Sequence, residues 1–121
     1  NDGVADAADC APHNAAVWSV PVEVFGMALG GKFPTVCSWT TQSPGTVDDV
    51  VTGALSELRA DLGFTRAACR WNNGAAGSWS DAYPDPTPGD GRYYLARAQN
   101  VCGDGGWGGG FGGTRAIGAC P

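Results

Sequence analysis

The sequence predicts a mostly β protein, an antiparallel sandwich of short strands around one core, and three observations support this. The chain of 121 residues is long enough for one hydrophobic core but too short for two. Its 20 glycines and 8 prolines limit helix and favour many turns. Five cysteines without any C-x-x-C spacing indicate disulfides rather than a zinc site, and hence an oxidising compartment. We expect two disulfides, with the fifth cysteine left as a thiol or paired outside the chain.

The charge of the chain argues against binding to nucleic acid, and its hydropathy argues against a membrane-spanning helix. Seven basic against twelve acidic side chains give a formal charge of -5, the wrong sign for binding a phosphate backbone. No apolar run approaches the roughly 20 residues that a membrane-spanning helix needs. The chain begins with neither an initiator Met nor a signal sequence, so we expect a piece cut or processed from a longer extracellular protein.

Alternation of apolar and polar residues places the first strands. The run from Ala16 to Gly30 is rich in β-formers and is interrupted by Pro21, which predicts an edge strand bent at the proline. Residues from Phe33 to Thr41 alternate with the period of a strand that turns one face inward. This pattern places Cys37 and Trp39 together on the buried face.

Two structures fit the segment from Val47 to Leu62. Its apolar spacing fits a single helix, with Thr46 as an N-cap. The pair Val50-Val51 and the mid-segment Gly53 favour a strand instead.

The second half of the chain alternates strands with glycine- and proline-rich connections. We predict, in order, a short strand over 64–71, a loop over 75–82 that carries Trp79, a stiff connection over 83–91, a central strand over Arg92–Val101, a glycine loop over 103–113 and a closing strand over 114–120. In this arrangement Cys102 would bridge to Cys120 across the glycine loop, Cys10 would bridge to Cys69, and Cys37 would stay reduced behind Trp39.

Two stretches resemble known families. The stretch GDGRYYLARAQNVCG over 89–103, with the closing Cys120-Pro121, resembles the end of fibronectin type III-like modules of secreted bacterial proteins. The opening NDGVADAADC over 1–10 resembles the last part of a thrombospondin type 3 calcium repeat. The resemblance implies an acidic tail over 1–14 and an immunoglobulin- or fibronectin III-like sandwich over 15–121, with a strand over 47–53 and one short helix over 54–60.

The acidic opening also matches the spacing of a calcium loop. With Asp2 at the fifth of twelve positions, Gly3 falls at the sixth, the Val4 carbonyl at the seventh, Asp6 at the ninth and Asp9 at the twelfth. The first four positions would lie upstream of this chain. A partial calcium site at Asp2, Asp6 and Asp9 is therefore one interpretation, and a solvated acidic linker is the other.

No set of residues predicts catalysis. His13 is the single histidine and lies in the predicted tail, where a general base would lack a fixed orientation. We interpret Asp48-Asp49, Asp81, Asp85 and Asp90 as solvated turn residues rather than a catalytic carboxylate pair. The chain is therefore predicted not to be an enzyme.

The glycine loop offers the predicted contact surface. Trp107 and Phe111 are large apolar side chains among glycines, which indicates either a surface that contacts protein or a tethered surface loop. We expect an extracellular or cell-surface structural, adhesive or assembly module whose partner is another protein or further copies of itself. Two alternatives are a subunit of a pilus-like extracellular filament and a glycan-binding module of a secreted hydrolase, with Trp107, Trp71 and Trp79 as stacking platforms.

Overall fold

The computed structural model describes residues 9–14, 17, 19–32, 34–42, 44–110 and 113–121. Its elements, in chain order, are β1 (Ala28–Gly30), β2 (Thr35–Ser38), β3 (Val47–Ala54), α1 (Leu55–Asp61), β4 (Ala68–Gly74), β5 (Ser78–Asp81), β6 (Arg92–Asn100), β7 (Gly103–Asp104), β8 (Gly109–Gly110) and β9 (Gly113–Thr114).

Most of these strands form two antiparallel sheets. The smaller sheet has the order β1-β2-β5 and the larger sheet has the order β4-β3-β6-β7, while β8 and β9 pair as a separate ribbon. In the larger sheet β3 and β6 pair along their whole length, from Val47 opposite Gln99 to Ala54 opposite Arg92. The predicted mostly β, antiparallel sandwich is confirmed, and β6 lies inside its sheet as expected.

Strand β3 is covered on both faces, and this sets the order of the layers. One buried cluster contains Cys37, Trp39, Val50 and Ala96, and a second contains Val51, Trp107, Ile117 and Cys120. Since successive residues of a strand point to opposite faces, Val50 and Val51 separate the two clusters. The smaller sheet covers one face of the larger sheet, and the C-terminal segment, defined as residues 107–110 and 113–120, covers the other.

The segment with two possible structures is a strand followed by a helix. The strand ends at Ala54 and the helix begins at Leu55, as the family resemblance implied. A Cβ at Gly53 would collide with the Tyr93 ring, so glycine there lets that ring lie against β3. The first turn of α1 is fixed by Asp90, whose carboxylate accepts hydrogen bonds from the Ser56 N–H at 3.0 Å and the Ser56 hydroxyl at 2.7 Å.

Several predicted elements differ from the structure. The strand predicted over 64–71 is β4, which begins at Ala68 and ends at Gly74, and the loop predicted over 103–113 contains β7 and β8. Residues 78–81 were predicted as part of a loop but form β5. This strand pairs with β2, and Trp79 lies opposite Cys37 in the ladder. Residues 115–120, predicted as part of a closing strand, instead pack across the outer face of β3 without strand pairing. Within residues 19–30 the strand covers Ala28–Gly30, at the predicted sheet edge but shorter than expected.

The disulfides join Cys10 to Cys102 and Cys69 to Cys120, while Cys37 is reduced and buried. The predicted pairing of Cys102 with Cys120 and of Cys10 with Cys69 is therefore wrong. The cause is the path of the C-terminal segment, which crosses the larger sheet and brings Cys120 to β4 rather than to the end of β6.

Candidate contact surface

Trp107 is a core residue, so the predicted contact surface on the glycine loop is wrong at this position. The side chain is 5% exposed, and its Nε1–H donates to the Ile117 carbonyl at 3.1 Å. The Arg97 guanidinium lies 4.9 Å from the centre of its ring, a distance typical of a cation–π contact. Phe111 lies outside the described residues.

A sequence signal for this burial exists but was missed. Ile117, Ala119 and Cys120 form a small apolar group close behind the glycine loop, and all three pack in the cluster that contains Trp107. Because Trp carries a large apolar surface and one N–H donor, it is well suited to a site that buries the ring and supplies a carbonyl. The tryptophan among the glycines of this loop packs into the core and is not exposed to solvent.

The predicted calcium ligands fall mostly outside the described residues. Asp2 and Asp6 are among the residues that the structure does not describe, while Asp9 is buried and its Oδ1 accepts a hydrogen bond from the Ala11 N–H at 2.8 Å. In the described part of the chain, no three His, Cys, Asp or Glu side chains are grouped to hold a metal ion. His13 lies exposed in a turn.

The tryptophans expected to stack on sugar are packed inward. Trp71 and Trp79 are half-buried and contact the cluster around Val50. Trp79 also lies against Tyr94, with ring centres 6.4 Å apart. Together with the burial of Trp107, this removes the row of exposed rings that a glycan platform needs.

The interpretation of the aspartates as solvated turn residues is wrong for three of them. Asp48, Asp49 and Asp81 are at most 2% exposed. Asp49 receives two hydrogen bonds from the Arg97 guanidinium, at 2.6 and 3.1 Å, and one from the Asn73 N–H at 2.8 Å. Arg97 also donates to the Cys120 carbonyl at 3.2 Å, so one buried ion pair joins β3, β6 and the C-terminal segment.

The other two buried carboxylates join the sheets. Asp48 accepts the Trp39 Nε1–H at 2.9 Å, and burial raises the pKa of this carboxyl. Asp81 accepts the Tyr94 hydroxyl at 2.7 Å. Burial and then the Asp81 carboxylate raise the pKa of Tyr94 to about 12, so this hydroxyl is protonated at neutral pH. Each contact joins the smaller sheet, or the residues just after β2, to the larger sheet.

Exposed apolar side chains gather instead on residues 20–30, which we call the edge segment. It presents Val20, Val22, Phe25 and Leu29, each 45–62% exposed. On its inner side Val24 and Met27 pack against the cluster around Val50. Some apolar side chains of the edge segment therefore pack against the core, while others are exposed to solvent.

Hydrogen bonds hold the edge segment along β2 and the residues that follow it. Ala28, Leu29 and Gly30 pair with Ser38, Cys37 and Val36 in the β1–β2 ladder. Before β1, the Thr40 N–H donates to the Phe25 carbonyl at 3.1 Å. Near Pro21, the Gln42 amide group substitutes for a strand partner, accepting from the Val22 N–H at 3.0 Å and donating to its carbonyl at 2.8 Å. Because β1 ends the sheet order, its other side is an open edge among the described strands.

Two cavities lie between the edge segment and the larger sheet. One, of about 130 Å³, is lined by Glu23, Val24, Met27, Leu95, Ala96, Trp107, Gly108 and Arg115. The other, of about 200 Å³, is lined by Leu29, Thr35, Tyr83, Pro84, Asp85, Pro86, Arg92 and Tyr94. Each combines apolar walls with one acidic and one basic side chain. A strand laid against this edge would direct alternate side chains toward these spaces.

Comparison of the chain with protein families, with curated proteins and with solved structures finds no match to any of them. Function is therefore inferred from the geometry of the edge segment and its surroundings. The helix α1 has seven residues, and no described helix is long and apolar enough to cross a bilayer.

Proposed function

We propose that the chain is a non-catalytic, extracellular structural or adhesive module that contacts another protein chain through its edge segment. The observation that carries this proposal is the exposed apolar surface of the edge segment, in which Leu29 lies on β1 at the open edge of the smaller sheet and Val22 and Phe25 precede it. Such edges in native proteins are usually blocked by charges, prolines or a covering element. An edge left apolar is suited to accept a partner strand.

The mode of contact is strand addition. Backbone groups of β1 that point away from β2 would bind an extended segment, and the adjoining cavities would receive its alternate side chains. The simplest donor is the edge segment of a second copy, because it ends in the exposed strand β1 and is apolar and rich in β-formers. Two copies paired symmetrically would form a closed dimer, whereas the filament alternative needs a contact between two different surfaces.

Burial of the Cys37 thiol supports a non-catalytic role. Cys37 is fully buried, and burial together with the Asp81 carboxylate raises the pKa of its thiol to about 11. At neutral pH the thiol is protonated and lacks the nucleophilic thiolate form. Two disulfides support an oxidising, extracellular setting. The fibronectin type III-like and thrombospondin type 3-like assignments stay predictions.

The test uses a synthetic peptide with the sequence of residues 20–30 and a scrambled control. We expect the peptide to bind and to slow hydrogen exchange at the β1 amides, and the protein to form dimers in sedimentation as its concentration rises. The pair of changes Val22→Lys and Leu29→Lys should weaken both effects at least about tenfold, because lysines on an edge oppose strand pairing. Leu62→Lys is the matched control, since Leu62 is 91% exposed and follows α1, away from the edge. Equal weakening by Leu62→Lys, or no peptide-dependent protection, would contradict the proposal.

Calcium binding by Asp2, Asp6 and Asp9 also stays a prediction. Three carboxylates do not fill the 6 to 8 oxygen positions that the ion takes, so we expect weak binding to this chain. Extending the chain upstream by the first four loop positions should tighten it greatly. Calorimetry that finds equal affinity for the two chains, or none for either, would contradict the assignment.

A further inference from the structure

The two disulfides interlock along the chain. The bridge Cys10–Cys102 spans 92 residues and the bridge Cys69–Cys120 spans 51. Cys69 lies within the span of the first bridge and Cys120 lies beyond it. The order along the chain is therefore first bridge, second bridge, first bridge, second bridge.

This order fixes the covalent route that tension takes. A pull on the chain ahead of Cys10 and behind Cys120 crosses from Cys10 to Cys102 and then follows the 18 peptide steps from 102 to 120. The other route, back from Cys102 to Cys69 and across the second bridge, has 33 steps between 69 and 102 and stays slack. Residues 11–101, which include β1 to β6 and α1, therefore lie outside the shortest path.

We propose that the bridge Cys10–Cys102 makes this module a load-bearing spacer that lengthens only slightly when its fold is pulled apart. A force at the two ends draws the covalent route taut after the segment 102–120 has been extended. Strands β1 to β6 cannot then be pulled out one after another. This proposal deepens the proposed function, on which it depends for its use, because the edge segment lies off the taut route and is not itself stretched while the chain is under load.

The second bridge has a different mechanical effect. Cys120 is tied covalently to β4, and Cys102 follows the end of β6, while β3 pairs with both of these strands. The segment 102–120 therefore extends fully only after the ladder β4–β3 or the ladder β3–β6 has separated. The Arg97 contact with the Cys120 carbonyl and the Trp107 contact with the Ile117 carbonyl oppose the same movement. Cys69–Cys120 should set how much force is needed, and Cys10–Cys102 should set how much chain is released.

Single-molecule stretching of the full chain separates these effects, with handles joined to the two termini without cysteine chemistry. At roughly 3.3–3.6 Å per residue, the oxidised protein should release a contour of about 60 Å. The double variant Cys10→Ser, Cys102→Ser should release about 200 Å, because the route then runs 59 steps from 10 to 69 before crossing to Cys120.

The matched control is the double variant Cys69→Ser, Cys120→Ser. It should release the same length of about 60 Å as the oxidised protein, at a lower force, because the shortest route does not use this bridge. Treating the unchanged protein with a reductant should release about 380 Å, which tests the idea without any substitution.

A release of about 380 Å from the oxidised protein, or a longer release after loss of Cys69–Cys120, would overturn the proposal. Peptide binding is measured without load, so its failure would contradict the edge proposal and leave these lengths unchanged. Equally, wrong lengths with intact peptide binding would contradict this proposal alone.

Discussion

The two sheets of the sandwich differ in how they are held. In the larger sheet, β3 is buried from Asp48 to Gly53, its Asp49 pairs with Arg97, and both disulfides end on this sheet or beside it. In the smaller sheet, Cys37 is reduced and all three residues of β1 are exposed. The larger sheet has covalent anchors and the close Asp49–Arg97 ion pair, while the smaller sheet has apolar packing, two hydrogen bonds to its neighbour and a longer ion pair, of 4.0 Å, between Asp81 and Arg92.

A small domain can thus keep an apolar edge without losing its fold. A chain of this size has little stability to spare, so an edge that must open to a partner cannot also be a main source of that stability. Here the anchors are concentrated on the side away from the edge. Loss of an anchor should lower the free energy of unfolding, whereas a change at the edge should affect binding.

The largest expected effect comes from breaking the buried ion pair. Asp49→Ala leaves the Arg97 guanidinium and the Asn73 N–H without their carboxylate, and should lower the free energy of unfolding by about 3–5 kcal/mol. Urea unfolding measures it. Asp85→Ala, at an exposed position in the proline-rich connection, is the control and should change stability by less than about 0.5 kcal/mol. Equal losses of stability from Asp49→Ala and Asp85→Ala would contradict the claim that the buried ion pair anchors the fold.

Loss of a bridge should have the next largest effect. Replacing Cys69 and Cys120 by serine should cost about 2–4 kcal/mol, mainly through the freedom that the unfolded chain gains. Peptide mapping without reduction should find Cys10 joined to Cys102 and Cys69 joined to Cys120. Cys37 should react with iodoacetamide only after unfolding. A bridge that includes Cys37 would contradict the account of the smaller sheet.

A smaller effect concerns the contact between the sheets and depends on pH. Because burial raises the pKa of Asp48 in the folded protein, its contribution to stability is fully present below its ordinary value of 3.8 and is lost as the pH rises through the folded value. Asp48→Asn keeps an oxygen to accept the Trp39 N–H but does not titrate. The variant should therefore gain stability relative to the natural protein between pH 3 and pH 7, as measured by urea unfolding at several pH values. A relative loss over that range would show that the charged form is the one the fold favours.

Local pattern predicted the parts of the fold that local sequence determines. Alternation from Phe33 to Thr41 placed Cys37 and Trp39 on a buried face, and both are buried. The strand from Arg92 was predicted to within one residue of its observed end at Asn100. Periodicity alone did not decide the segment from Val47, because its valines satisfy both helix and strand spacing.

Contacts between distant residues decided the rest. Asp49 looks like a turn residue until Arg97, 48 positions later, is placed beside it. Trp107 looks like a surface residue until Ile117 folds over it. The disulfide pairing depended on the same path of the C-terminal segment, which no local pattern indicates. The contact surface consequently moved from the glycine loop to the edge segment.

Native-state hydrogen exchange tests the division between the two sheets most directly. The account predicts that the paired amides of β3 and β6 exchange only through global unfolding, while those of β1 exchange through local opening at a much lower free energy. Addition of the 20–30 peptide should raise protection in β1 and leave β3 unchanged. Protection of β1 equal to that of β3 in the free protein would contradict the account, because the edge would then be part of the most stable region of the fold.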